Sequence, residues 1–201
     1  MHNFYRGLSI ANDAIISDTK NSLLHVKTNY LQQKVIQIDK RTIISSEALP
    51  HNLMCEGLVQ NNFDTQSLVF KSLRFTPKSP TERKSIRVEP DKDDKITLFF
   101  KEHKFFGDVH IMDLSIEAVK VNMNALPAGL EEDEAIRLDM ILTMDKRKVI
   151  INSPAHLFKK VESNRAFQLV FIFELPPSMK RPLIEYISKR QMQLIREFKG
   201  M

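Results

Sequence analysis

Arg83 and Arg87, with Lys84-Ser85-Ile86 between them, sit just ahead of a run of alternating apolar and polar residues. Asp113-Leu114-Ser115 follows where one such stretch crosses into the next. These residue types can grip an anion that also carries flat aromatic faces. A guanidinium forks onto phosphate oxygens, pairs with O6 and N7 of guanine, and stacks its plane on a purine. Lys84 supplies only a point charge and is the poorer candidate. A carboxylate such as Asp113 accepts from ring N–H groups. Ser115, two residues on, projects to the same side in a regular strand and can donate or accept. An extended segment advances about 3.3 Å per residue, so Arg83 and Arg87 can stand about 13 Å apart, or closer on a curved loop.

Composition favours a small anion over a long one. The net charge is +5 over 201 residues. Residues 1–80 hold nine Lys and Arg against six Asp and Glu, and the remainder 21 against 19. Neither part has the broad positive field that a polyanionic duplex requires. A nucleic-acid-binding barrel, which the basic pI and aromatic strands would allow, is disfavoured on that ground. The single cysteine, Cys55, builds no intramolecular disulfide framework and suits a reducing compartment. The first residues lack a basic start followed by an apolar core, and no apolar run approaches the roughly 20 residues that span a bilayer. A cytoplasmic protein is expected.

The segments that would position these groups read mostly as short strands. Leu23 to Thr28, Leu31 to Ile38 and Arg41 to Ser45 are predicted β segments. Gly57 to Gln60 and Gln66 to Phe70 flank Asn61-Asn62-Phe63-Asp64, a turn cluster expected to close a hairpin. Five or six strands in the first 80 residues suggest a small barrel or sandwich. Thr76-Pro77-Lys78-Ser79-Pro80 then breaks the pattern, because two prolines deny backbone donors and favour extended conformations. The expected domains are 1–78 and 79–201. A second set follows: Lys95 to Lys101, Phe105 to Met112, Ile116 to Met123, Ala135 to Thr143, Lys148 to Lys160 and Ala166 to Phe173. Val119, Val121 and Met123 alternate with Lys120 and Asn122, as in a strand with one wet face. Six strands favour closure, which removes exposed edges. Pro176-Pro177 opens a helix to about Lys199, with Leu183, Tyr186, Ile187, Gln191, Leu194 and Phe198 on one side and Gly200 as its stop. The expected fold is all-β with a C-terminal α-helix, arranged as two tandem small β-barrels, the second six-stranded.

The order Arg-x-x-x-Arg, then Asp-x-Ser before a strand, resembles the two-part signature of the PilZ domain, whose second part reads Asp/Asn-x-Ser-x-x-Gly. Its last position here is Ala118. The resemblance covers residues 79–201; residues 1–78 are similar only in architecture to the degenerate N-terminal barrel of flagellar-brake proteins. It implies a receptor for cyclic di-GMP, with Arg83, Arg87 and, less strongly, Lys84 at phosphate and guanine. Asp113 and Ser115 then stand on the guanine side, with Ala118 beside the ligand. It further implies no cofactor, a change in inter-domain orientation on binding, and a protein partner in flagellar, adhesion or matrix machinery. The alternative is a PilZ-fold adaptor that binds protein but not the dinucleotide, to which Ala118 points.

Enzyme chemistry finds no foothold in the sequence. The six histidines are scattered without metal-ligand spacing, and Glu131-Glu132-Asp133-Glu134 lacks the alternation of a calcium loop. Phosphate loops and nucleophile elbows are missing. Phe99, Phe100, Phe105 and Phe106 form a cluster expected to lie in the core.

Overall fold

The computed structural model describes residues 1–77, 85–145, 147–163 and 166–200. The chain divides into two compact units, Met1–Lys84 and Ser85–Met201. The boundary expected between Lys78 and Ser79 lies outside the described residues.

The first unit is a curled seven-stranded sheet in the order β2-β1-β5-β6-β7-β4-β3. Its strands are β1 (His2–Tyr5), β2 (Leu8–Ala11), β3 (Ala14–Lys20), β4 (Leu23–Thr28), β5 (Arg41–Ile44), β6 (Asn52–Asn62) and β7 (Ser67–Thr76). The sequence reading missed β1 to β3. Their turns are made by residue pairs at positive φ, Arg6-Gly7 (48° and 88°) and Asn21-Ser22 (52° and 63°). Such left-handed pairs match the twist of a two-residue hairpin. The β6–β7 hairpin was expected, and Asn62 closes it by accepting from the amides of Asp64 and Thr65 at 3.0 and 3.1 Å.

Leu31 to Ile38 is not a strand. It lies within helix α1 (Tyr30–Asp39), which Asn29 caps by accepting from the Gln32 amide at 2.9 Å. Lys40, left-handed at φ 59°, ends it. The buried residues Gln32, Gln33, Val35 and Ile36 fall at helical spacing, but half of that face is amide and gives little apolar periodicity. Side-chain amides secure it instead. Gln32 donates to Asn3 at 2.7 Å, and Gln33 donates to Asn61 at 2.9 Å and to the Asn62 carbonyl at 2.8 Å. Ile36 joins Leu24, Val26, Ile44, Leu68 and Phe70 in the core, with Cys55, whose thiol is pushed up to about 12 by burial.

The second unit is also a curled seven-stranded sheet, ordered β10-β11-β14-β13-β12-β8-β9, with β10 returning against β8. It comprises β8 (Lys95–Phe100), β9 (His103–Lys104), β10 (Val109–Leu114), β11 (Ala118–Met123), β12 (Ala135–Met144), β13 (Arg147–Ser163) and β14 (Ala166–Phe173). Each unit is therefore barrel-like. The count of six was short by the two-residue β9, formed where Lys101 and Glu102 adopt positive φ of 50° and 61° and fold the chain back. Phe105 to Asp108 does not belong to a strand, and Phe106 is 88% exposed rather than in the core. Inward residues of the ladders, among them Leu98, Val119, Val121, Leu138, Met140, Leu157, Leu169 and Phe171, are almost wholly buried.

Helix α2 (Pro177–Gly200) packs on β12 and β13, as expected of a terminal amphipathic helix, and runs through Gly200 instead of stopping before it. Its buried face carries Leu183, Tyr186, Ile187, Leu194 and Phe198, with Arg190 where Gln191 was expected. The Tyr186 hydroxyl donates to Asp94 Oδ2, and Asp94 Oδ1 accepts from the Thr143 amide at 2.6 Å. Burial holds the Asp94 carboxyl above the usual carboxylate range, against the pull of its hydrogen bonds from Tyr186, Thr143 and Asp91. Burial and the adjacent carboxylate likewise push the Tyr186 phenol up.

The folded chain thus holds the Asp94 proton more tightly than the unfolded chain. Its contribution to stability is complete below the ordinary carboxylate pKa and is lost as pH rises through the raised value. An amide at this position offers one acceptor where the carboxylate serves donors on both oxygens. Asp94→Asn is expected to cost about 1–3 kcal/mol at neutral pH. In urea titrations, the gap to the unsubstituted chain widens as pH falls toward the ordinary carboxylate range.

Candidate ligand-binding site

Two hydrogen bonds join the halves of the motif. Val88 N donates to Leu114 O at 3.0 Å, and Leu114 N donates to Val88 O at 2.9 Å. This isolated antiparallel bridge lays the segment before β8 along the end of β10. Val88 and Leu114 are both fully buried, so Arg87 and Asp113, the residues just before them, face the outer wall. Arg87 Nη1 lies 3.8 Å from Asp113 Oδ1, with both side chains partly exposed. At that length and exposure the ion pair contributes little to stability, within about 0–1 kcal/mol, and leaves both groups accessible.

A β-bulge aims Asp113. The β10–β11 register runs Val109↔Met123, His110↔Asn122, Ile111↔Val121, and then shifts so that Asp113 pairs with Lys120. Strict alternation from Ile111 would have turned Asp113 inward. The extra residue, Met112, drops out of the ladder and flips Asp113 onto the outer face.

Ser115 follows a different course from the sequence expectation. It lies past the end of β10 and is 1% exposed. Its hydroxyl accepts from the amides of Ala118 at 3.0 Å and Glu117 at 3.4 Å, and donates to the Ala118 carbonyl at 3.2 Å. The hydroxyl therefore shapes the turn that carries Asp113 into β11. Ala118 opens β11, pairs with Ile172, and is not among the described residues with positive φ. Its methyl group imposes no backbone strain. Arg83 and Lys84 lie outside the described residues.

The ladders add residues that sequence reasoning did not select. Asp113, Lys120, Val170 and Lys159 form one cross-strand row on the outer wall. The alternation of Lys120 and Asn122 with buried Val119 and Val121 signals the wet face, but not which lysine stands beside the acid. Ala118 is followed across the sheet by Ile172 and His156. These two residues border a shallow groove of about 280 Å³ with Ala135, Pro154, Phe173 and Glu174.

The chain has likenesses among solved structures. The inhibitor of motility MotI/DgrA from Bacillus subtilis is 14% identical, with 88% of this chain and 87% of that chain covered, at a TM-score of 0.47. The PilZ domain of YcgR from Escherichia coli, solved with c-di-GMP, is 16% identical, with 60% and 100% covered, at 0.46. MrkH from K. pneumonia, solved as a c-di-GMP complex, is 15% identical, with 99% and 88% covered, at 0.47. The likeness is one of fold.

No family model and no curated protein matches the chain. One of the three structures is itself a PilZ domain, the family whose motif Arg83, Arg87 and Asp113-Leu114-Ser115 resemble. Among the described residues, no helix is long and apolar enough to cross a membrane.

Two substitutions test the local geometry. Ser115→Ala leaves the two turn amides without their acceptor and is expected to cost about 1 kcal/mol, read as a lower urea midpoint. Ala118→Gly is expected to destabilise by about 0.5–1 kcal/mol, because no positive φ is relieved to offset the added chain entropy. A gain in stability would show that the backbone at 118 is strained.

Proposed function

We propose that this chain is a receptor for cyclic di-GMP, binding it on the outer wall of the second unit and passing the signal to a protein partner. The observation that carries this reading is the Val88–Leu114 bridge, which brings Arg87 within 3.8 Å of Asp113 on an accessible surface. An arginine fork for phosphate or guanine and a carboxylate for guanine N–H groups thereby share one site. Arg83 and Lys84, a few residues upstream, add further cationic contacts. Ser115 acts mainly by fixing the turn, and Ala118 borders the ligand. Binding at the arginines would change the relative orientation of the two units and alter a surface offered to flagellar, adhesion or matrix machinery. The role is one of binding in the cytoplasm, without a cofactor and without catalysis.

Calorimetric titration with cyclic di-GMP tests the reading. The unsubstituted chain is expected to bind, and Arg87→Ala and Asp113→Ala are each expected to weaken binding at least tenfold, about 1.4 kcal/mol. Absence of heat from the unsubstituted chain rejects it.

A second reading is a PilZ-fold adaptor that recognises protein alone, and Ala118 in the glycine position favours it. Here the methyl group would obstruct the ligand rather than strain the backbone. Ala118→Gly separates the two: binding acquired only by that variant means that the methyl had silenced the site.

A further inference from the structure

Arg190 sits in the middle of α2, is 5% exposed, and occupies a position that the helix pattern would fill with an apolar residue. A buried guanidinium is costly unless its donors are satisfied. Here they are met by one short stretch of chain and by two residues of the helix itself. Nε donates to Glu89 O at 2.9 Å, Nη2 donates to Pro90 O at 3.4 Å, and Nη1 lies 3.6 Å from Asp91 Oδ2. Gln193 and Glu197, on the same helix, hold Nη1 from behind at 3.3 and 3.5 Å. One turn earlier, the Tyr186 hydroxyl accepts from the Asp91 amide at 3.2 Å and donates to Asp94.

The gripped residues, Glu89 to Asp94, lie between the Val88 bridge and the first residue of β8, outside any named strand. Three neighbours therefore hold this connection: β10 through Val88, α2 through Arg190 and Tyr186, and β12 through the Thr143 amide on Asp94. Arg87 is the residue next to the bridge. Carbonyls on two successive residues and a carboxylate on the third each meet a different nitrogen of the guanidinium, a spread that the single nitrogen of an ammonium does not reproduce.

We propose that Arg190 is a positioning residue for the binding site: through Glu89 and Pro90 it fixes the backbone that aims Arg87 at Asp113, so that docking of α2 and occupancy of the site are coupled. Whatever lifts α2 weakens ligand binding, and ligand binding tightens α2, since such coupling is reciprocal. The ligand half of this statement rests on the cyclic di-GMP reading; the clamp itself does not.

The test uses the full chain with Arg190→Met, which keeps length and apolar bulk, and Arg190→Lys, which keeps charge without the fork. Amide hydrogen exchange is followed without ligand. In Arg190→Met, the amides of Val88 and Leu114 are expected to exchange at least tenfold faster, while Val121 and Leu169 in the central ladders stay protected. Arg190→Lys is expected to fall between. Affinity for cyclic di-GMP is expected to drop at least tenfold in Arg190→Met. Unchanged protection at Val88 and Leu114 overturns the proposal, as does an equal loss at all four amides, which would mark Arg190 as merely structural. Should Arg190→Met fail to fold, Tyr186→Phe removes the second anchor and carries the same exchange expectation. If the unsubstituted chain shows localised protection but no heat with cyclic di-GMP, the function reading fails while the clamp is still judged by exchange.

Discussion

The pair of hydrogen bonds between Val88 and Leu114 is the constraint on which the candidate site depends. A ladder of one residue is weak alone, and here it is supported from below by two fully buried side chains in the barrel core. Its effect on the outer wall is geometric. It converts a sequence separation of 26 positions between Arg87 and Asp113 into a distance of 3.8 Å. Neither group is buried, so the pairing costs little to break and leaves both free to exchange partners.

The connection that leads on from that bridge is met by α2. Helix α2 places a phenol and a guanidinium one turn apart, and both are satisfied by the connection that leads from Val88 into β8. Burying these groups is expensive, and apolar substitutes would pack as well. Their polarity specifies where the connection runs, because backbone carbonyls can be held only by donors. The raised proton affinity of Asp94 belongs to the same arrangement, the consequence of burying a carboxylate there, which outweighs the opposite pull of its donors.

Much of the second unit was legible because its strands alternate cleanly between an apolar core and a wet face, as in Val119 to Met123. The first unit was less so. Helix α1 hides its periodicity behind Gln32 and Gln33, which are wholly buried and held by amides from distant strands. The strands β1 to β3 rest on turns in which Arg6, Asn21 and Ser22 adopt positive φ, a conformation that such residues do not announce. Phe106 shows the converse: an aromatic residue that stands in solvent, in the unpaired stretch between β9 and β10.

Residue type and pattern alone determined a mostly β scaffold with an amphipathic C-terminal helix, and marked Arg87 as suited to an anion and Asp113 to ring N–H groups. The tertiary structure decided their directions. Period-two reasoning from Ile111 places Asp113 inside the barrel, and only the bulge at Met112 turns it out. Ser115 reads as a free hydroxyl until the turn to Ala118 absorbs its hydrogen bonds. Arg190 carries a charge that the apolar face of its helix does not call for, yet it is buried, because the carbonyls that satisfy it lie about a hundred positions away and meet it only in the folded unit. Side-chain type is local information; facing, register and burial are set by contacts between segments that the chain order keeps apart.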